Sequence, residues 1–221
     1  MCSSHMESKY VLTRCGDDLY SIAVGAPADA QALAVQLRDD GGWVEVVPGI
    51  DSVLVQFDAA FVDAETVEAA LSDVLAAGIA PLESRDELIE IPVVYGGEHG
   101  PDLEDLGRAT GLTTTEIIEL HTSREYPVDM VGFTPGFAFI GGLDERLRVP
   151  RRQEPRQRVP AGSVGIADGR TGLYAMASPG GWLLIGKTPF RLFNANARTP
   201  FVLQPGMRVR FRAISADETE A

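Results

Sequence analysis

From residue 126 onward, glycine and proline interrupt the chain so often that little room is left for helix. What remains is a series of short strand-like runs: VDMVGF, FAFIG, SVGIA, GLYAM, WLLIG and RVRFRAI. Their valines, isoleucines and aromatic residues suit a pleated, half-buried surface. Asp168-Gly169, between two of the runs, reads as a hairpin turn, because both residue types tolerate the positive φ that a tight turn requires. Six or more short strands at this spacing point to a closed barrel, since closure leaves no unpaired edge.

The first 90 residues follow a different pattern. YVLTR and LYSIAV read as two strands around Gly16-Asp17-Asp18. Ala30, Leu33, Ala34 and Leu37 fall at helical spacing, with Asp29 placed to cap the helix and Gly41 to end it. WVEVV and SVLVQF are alternating strands joined through Pro48-Gly49. Val67, Ala70, Leu71, Val74 and Leu75 mark a second helix stopped by Gly78, and ELIEIPVVY is expected to close the sheet. The order implies an α+β unit with both helices on one face. Residues 101–123 read as two short helices around Gly111, with Thr113 as a cap. The expected organisation is therefore an α+β unit over 9–90, a barrel over 91–216 that begins with the helical pair, and a disordered acidic tail over 217–221.

Charge narrows the function. Residues 1–90 hold 17 Asp/Glu against 4 Lys/Arg, while residues 91–221 hold 15 of each. An acidic first half repels phosphate backbones, so no nucleic-acid partner is expected. The text LGRATGLTTTEIIELH resembles a helix-turn-helix, but Glu116 and Glu119 stand where DNA binding needs cations; a packed pair bridging the two halves is expected instead. No run of about 18 apolar residues is present, so no membrane partner is expected. The polar start MCSSHMESKY lacks the apolar core of a signal peptide. Two cysteines form no disulfide framework, and a cytoplasmic location is expected.

Gly181, Gly186, Lys187 and Thr188 match G-x-x-x-x-G-K-[ST], the phosphate-loop pattern. Such a loop must follow a strand and open a helix, so that backbone N–H groups converge on phosphate. Here Trp182, Leu183, Leu184 and Ile185 fill the interval, and Pro189 disfavours helix at Thr188. A strand is expected. The glycine turns are better leads: 132–137 (Gly132, Phe133, Thr134, Pro135, Gly136, Phe137), 178–181 (Ser178, Pro179, Gly180, Gly181), and Gly141-Gly142. Turns with exposed N–H groups receive anions, although barrel corners also need glycine. His121 lies near a helix C-terminus, where the dipole favours its cation and acid–base work is open to it; a structural role is the alternative. Asp144 could orient a substrate amine, hold Mg²⁺ or cap a turn. No His/Cys/Asp cluster has metal-ligand spacing. Arg146, Arg148, Arg151, Arg152, Arg156 and Arg158 form a basic cluster, either a solvated face or an anion surface.

These motifs, in order, resemble a known family. HTSREY (121–126), GFTPGFAFIGGLD (132–144), PRRQEPR (150–156), VPAGSVGIADGRTGLY (159–174) and SPGGWLLIGKTP (178–189), with IPVVYGGEHGPDLEDL (91–106) before them, resemble the B subunit of 5-oxoprolinase. The family is also called KipI or allophanate hydrolase subunit 1, and the likeness covers about residues 10–215. It implies a ferredoxin-like α+β domain followed by a cyclophilin-like β-barrel, and a hydrolase subunit that is inactive alone. With the A and the larger C subunits of the same enzyme, members open 5-oxoproline to glutamate using ATP with Mg. Related domains form the carboxyltransferase module of urea amidolyases, and one relative instead inhibits histidine kinase autophosphorylation. A kinase inhibitor of that kind and a carboxyltransferase or allophanate hydrolase-type subunit are the alternative functions. A lactam amide is a poor electrophile, and phosphorylating its carbonyl oxygen makes it a better one. The resemblance and the turns together nominate His121, Arg151 and Arg156 as catalytic. Gly132, Phe133, Pro135, Gly136, Ser178, Pro179, Gly180, Gly181, Trp182 and Lys187 are nominated for substrate or nucleotide. Lys187 stands where arginine is common in the family.

Overall fold

A computed structural model describes residues 10–82 and 87–219. The chain divides into two compact units, Met1–Glu83 and Ser84–Ala221.

The first unit is β1 (Val11–Arg14), β2 (Leu19–Ala23), α1 (Pro27–Asp40), β3 (Glu45–Pro48), β4 (Ser52–Gln56) and α2 (Ala64–Ala77). The strands form an antiparallel sheet in the order β1-β2-β4-β3. Alternation decides its inner face: Tyr20 pairs with Val55, Ile22 with Val53 and Val46 with Val55, and all five are buried. Leu33 and Leu37 of α1 and Val67 and Leu71 of α2 complete the same apolar cluster. The Tyr20 hydroxyl, 3.0 Å from the Ala64 carbonyl oxygen, fixes α2 on β2. Pro27 opens α1, and Asp29 stands within the first turn, not at the expected capping position. In α2, Asp63 is the cap, accepting from the Thr66 N–H.

The second unit begins with β5 (Leu88–Tyr95), α3 (Leu103–Thr110) and α4 (Thr114–Thr122). Of the strands that follow, β6 (Glu125–Val131), β7 (Ala138–Ile140), β9 (Ser163–Ala167), β10 (Arg170–Leu173), β12 (Leu183–Lys187) and β13 (Arg208–Ala213) join β5 in the barrel. The other two, β8 (Arg156–Val159) and β11 (Ser178–Gly180), pair with each other. One correction concerns ELIEIPVVY. It does not close the first sheet but is a barrel strand, parallel to β13 from Leu88↔Arg208 to Val93↔Ala213. The barrel closes in the order β10-β7-β6-β13-β5-β12-β9. Asp168 (φ 50°) and Gly169 (φ 75°) form the expected hairpin turn between β9 and β10.

The helical pair packs on the barrel: Leu106 and Ile117 are part of its core. Gly111 ends α3 in the left-handed region, and Thr113 and Glu116 make a reciprocal capping box at the start of α4. The acidic tail is not wholly irregular. Ala216–Thr219 form a 3-10 turn, held because the Glu218 carboxylate accepts from the Ser215 N–H at 2.7 Å. Residues 220 and 221 lie outside the described ones. No helix of the described residues is long and apolar enough to cross a membrane.

α4 carries His121 into the barrel core, where it is fully buried and stacks on Phe211 at 4.2 Å. Its Nδ1 is 2.6 Å from the Tyr95 hydroxyl and its Nε2 is 2.9 Å from Thr171 Oγ1. Thr171 donates its own proton to the Gly165 carbonyl, so it accepts from Nε2–H, and Nδ1 accepts from Tyr95. One neutral tautomer satisfies every group. Of the two roles left open for His121, the geometry favours the structural one: desolvation lowers its pKa from 6.5 to about 3. The unfolded chain binds the proton first as pH falls, so this residue's stabilisation is complete above pH 6.5 and is lost toward pH 3, by ~3–5 kcal/mol at the lower limit. Nitrogen NMR is expected to show the Nε2–H neutral ring persisting at pH 5 in the folded protein. A cationic ring at that pH would refute the assignment.

Candidate functional site

Two of the three glycine turns meet. Phe137, at the end of turn 132–137, is buried and makes edge-to-face contacts with Phe139 (4.7 Å), Tyr174 (4.8 Å), Trp182 (5.5 Å) and Phe133 (5.9 Å). Trp182 directly follows the second turn, so this packing holds both turns at one place. The glycines make the approach possible: a Cβ on Gly172 would collide with Trp182 and Phe137, and one on Gly180 with the Tyr174 ring. Phe133, Arg151, Gly180, Gly181 and Trp182 line a small aromatic pocket there. The Arg151 guanidinium lies 6.0 Å from the Trp182 ring centre, and its Nε donates to Asp168 at 2.9 Å.

The turn at 132–137 also walls a larger cleft of about 570 Å³, facing segment 198–205. Gly132, Phe133, Pro135 and Gly136 all line it. Phe133 has φ 69° and is 69 % exposed. A bulky residue in the left-handed region is strained, and nothing is gained in burial by placing it there. The opposite wall carries no sequence signature of its own. Segment 191–202 folds back on itself through the Phe193↔Phe201 bridge and the bonds Asn194 N–H to Pro200 O (2.9 Å) and Val202 N–H to Leu192 O (3.2 Å). No repeating pattern announces this loop; RTPF alone marks a turn.

The turns spend some of their N–H groups internally. In turn 132–137 the N–H groups of Gly132, Thr134 and Phe137 all bond to carbonyls of the same turn. The Phe133 and Gly136 N–H groups make no such bond, and the turn also presents the exposed Phe133 ring. In the second turn, Ser178 and Gly180 pair with β8, Gly181 O accepts from Arg152 N–H, and Pro179 is exposed.

Other nominated residues fall elsewhere. Lys187 ends β12 beside His99 and Thr188 in a separate pocket, and no helix follows it, as the strand reading requires. His121 is in the core. Arg156 donates through Nη2 to Asp102 at 2.6 Å, joined by Arg152 Nη1 at 3.2 Å and the Leu184 N–H at 2.7 Å. Asp102 is 2 % exposed. Its position before α3 reads locally as a cap, yet its carboxylate makes no cap bond and reaches β12 and the arginine segment instead. The charge of Arg156, nominated as catalytic, is matched here by a buried carboxylate.

The basic cluster is largely neutralised. Arg146 bonds Asp144, Arg148 bonds Glu145, and Arg151 bonds Asp168. Asp144 caps the 3-10 turn Glu145–Leu147 and also binds Arg124, and the bonds from Arg146 and Arg124 drive its carboxyl well below the ordinary range. The third glycine turn packs elsewhere, Gly141 lying against the Asp129 carboxylate. Among the described residues, no group of His, Cys, Asp or Glu is arranged to hold a metal ion.

The fold and the paired pockets define a class. Residues 3–203 match the family described as the carboxyltransferase domain, subdomain C and D. The chain belongs to that family, and within it to the B-subunit family of 5-oxoprolinase. The 5-oxoprolinase B subunit of Bacillus subtilis (strain 168) is 37 % identical over 98 % of this chain and 98 % of its own length. The one from Escherichia coli O157:H7 is 44 % identical over 81 % of this chain and 82 % of its own. In fold, the chain also resembles part of the urea amidolyase of Kluyveromyces lactis, with a TM-score of 0.79 at 18 % identity, over 99 % of this chain and 16 % of that one.

Replacing Asp102 by Ala is expected to cost ~3 kcal/mol in urea unfolding, because two arginines and the Leu184 N–H lose a common acceptor. Asp102→Asn keeps an acceptor and should cost less; equal losses would contradict the ionic reading. Phe133→Gly relieves the left-handed strain and should leave stability unchanged or raise it by up to ~1 kcal/mol. A clear loss in the same assay would mean that the ring supports the fold.

Proposed function

We propose that this chain is a non-autonomous subunit of an ATP-dependent 5-oxoprolinase, which opens the lactam of 5-oxoproline to glutamate together with the A and the larger C subunits of that enzyme. The observation that carries this reading is the near full-length likeness, at 37 % identity, to a protein named as the B subunit of 5-oxoprolinase. Two aromatic-walled pockets joined at Phe133 support it, since small organic substrates are held by apolar walls with few polar groups.

The residues do not fit Mg-ATP on this chain alone. β12 is a strand where a phosphate loop would be needed, no carboxylate group is arranged for Mg²⁺ among the described residues, and five of the clustered arginines already bind carboxylates. Nucleotide handling is therefore assigned to the partner subunits, and the organic substrate to the pockets at Phe133. Arg151, over Trp182, is the one nominated arginine that stays at a pocket.

Purified alone, the chain is expected to release no glutamate from 5-oxoproline with ATP; added to the A and C subunits, it should restore release. Turnover by the chain alone would overturn the non-autonomous assignment. An assembled complex inert toward 5-oxoproline would overturn the substrate.

A further inference from the structure

Most arginines of the barrel are paired, whereas the one lining the larger cleft joins Arg158 and Lys187 in having no carboxylate partner among the described residues. Arg108, Arg124, Arg146, Arg148, Arg151, Arg152, Arg156, Arg170, Arg208, Arg210 and Arg212 each bind a carboxylate. Arg191 donates to the Phe193 carbonyl. Arg198 has no carboxylate or carbonyl partner among the described residues, and it lines the cleft. No Asp or Glu is among the described residues lining that cleft, so its one formal charge is a positive one without a counter-ion.

A second observation comes from the facing wall. Thr134 Oγ1 is buried without a hydrogen-bond partner, and Thr134 lines the same cleft. A buried hydroxyl left unpaired is costly, and most such groups in native proteins find a partner. A third is Phe133, held in strained backbone so that its ring stays exposed at this cleft. Pro135, Phe201 and Leu203 make the remaining wall apolar.

We propose that this cleft is the carboxylate subsite for a small cyclic acid, with the Arg198 guanidinium as charge partner and the Thr134 hydroxyl as its hydrogen-bonding group. The guanidinium fork matches a carboxylate in two parallel bonds. A single cation suits one carboxylate and is too little for a polyphosphate, whose charge calls for several cations or a metal. The apolar wall takes the face of the ring. The identity of the acid, 5-oxoproline, rests on the function proposed above; the carboxylate preference does not.

Calorimetric titration of the isolated chain with 5-oxoproline and with its neutral amide, 5-oxoprolinamide, tests the subsite. The wild-type chain should bind the acid more tightly than the amide. Loss of one charge-assisted contact in Arg198→Ala should weaken acid binding ~10-fold or more and leave the amide nearly unchanged. Arg198→Lys should recover part of the loss, and Thr134→Val should weaken binding less than Arg198→Ala. Arg198 is exposed and unpaired among the described residues, so thermal unfolding of its variants should match the wild type. Equal affinity for acid and amide, an unchanged Arg198→Ala chain, or no binding of the acid up to its solubility would each overturn the subsite. The functional reading fails separately: an assembled complex that binds the acid through Arg198 yet never turns it over sinks the activity and leaves the subsite standing. Turnover with a KM indifferent to Arg198→Ala does the reverse.

Discussion

Phe137 is where the barrel turns sequence into a site. Its ring is enclosed by Phe139, Tyr174 and Trp182, and Phe133 abuts it from the outer side. Each contact is edge-to-face, the arrangement that ring quadrupoles favour, and worth ~0.5–1.5 kcal/mol beyond burial. Because Phe137 ends one glycine turn and Trp182 follows the other, the same packing fixes both turns. Gly172 and Gly180 serve it by leaving room for the rings. The N–H groups of Gly132, Thr134 and Phe137 close the turn on itself. The turn is therefore rigid, and the residue it cannot bury, Phe133, becomes the shared wall of two pockets.

Buried polarity in the second unit is resolved in two distinct ways. His121 is kept neutral, with one donor and one acceptor matched by Thr171 and Tyr95. Asp102 keeps two guanidinium partners and a backbone donor. A neutral imidazole avoids the cost of a buried charge, whereas a buried carboxylate needs cations close by. Both groups join segments far apart in the chain, α4 to β10 and the start of α3 to β8 and β12. His121 and Asp102 are thus committed to the architecture, and the two pockets at Phe133 are lined by aromatic rings with one arginine each.

What could be read from the sequence was what neighbours in the chain decide. Period-2 runs marked the barrel strands, Asp168-Gly169 marked a hairpin, and Thr113 marked a helix start. The larger errors were long-range. Alternation in ELIEIPVVY shows that one side is buried but not which sheet buries it, and the partner β13 lies far along the chain. The arginine cluster leaves a solvated face and an anion surface both open because Asp102 and Asp168, which neutralise part of it, stand at a distance in the sequence. Asp102 has the local look of a helix cap. Segment 198–205 is silent in the sequence because a loop closed by one bridge and a few backbone bonds has no periodicity. Half of the cleft was legible through its glycines; the other half has no such signature.

The false phosphate loop shows why a motif needs its backbone. In a nucleotide site, the glycines would free N–H groups to surround phosphate and the lysine would reach a phosphoryl oxygen. In β12, Gly186 is required because a Cβ would strike the Val93 side chain and the Val94 carbonyl of the adjacent strand. Thr188 is buried and its hydroxyl accepts from the Phe190 N–H, so it is not free for a metal ion. Lys187 stands at a strand end beside Pro189. The pattern is used in closing the barrel. A nucleotide-like spelling whose every residue is spent on strand packing is no evidence of a phosphate site in this barrel.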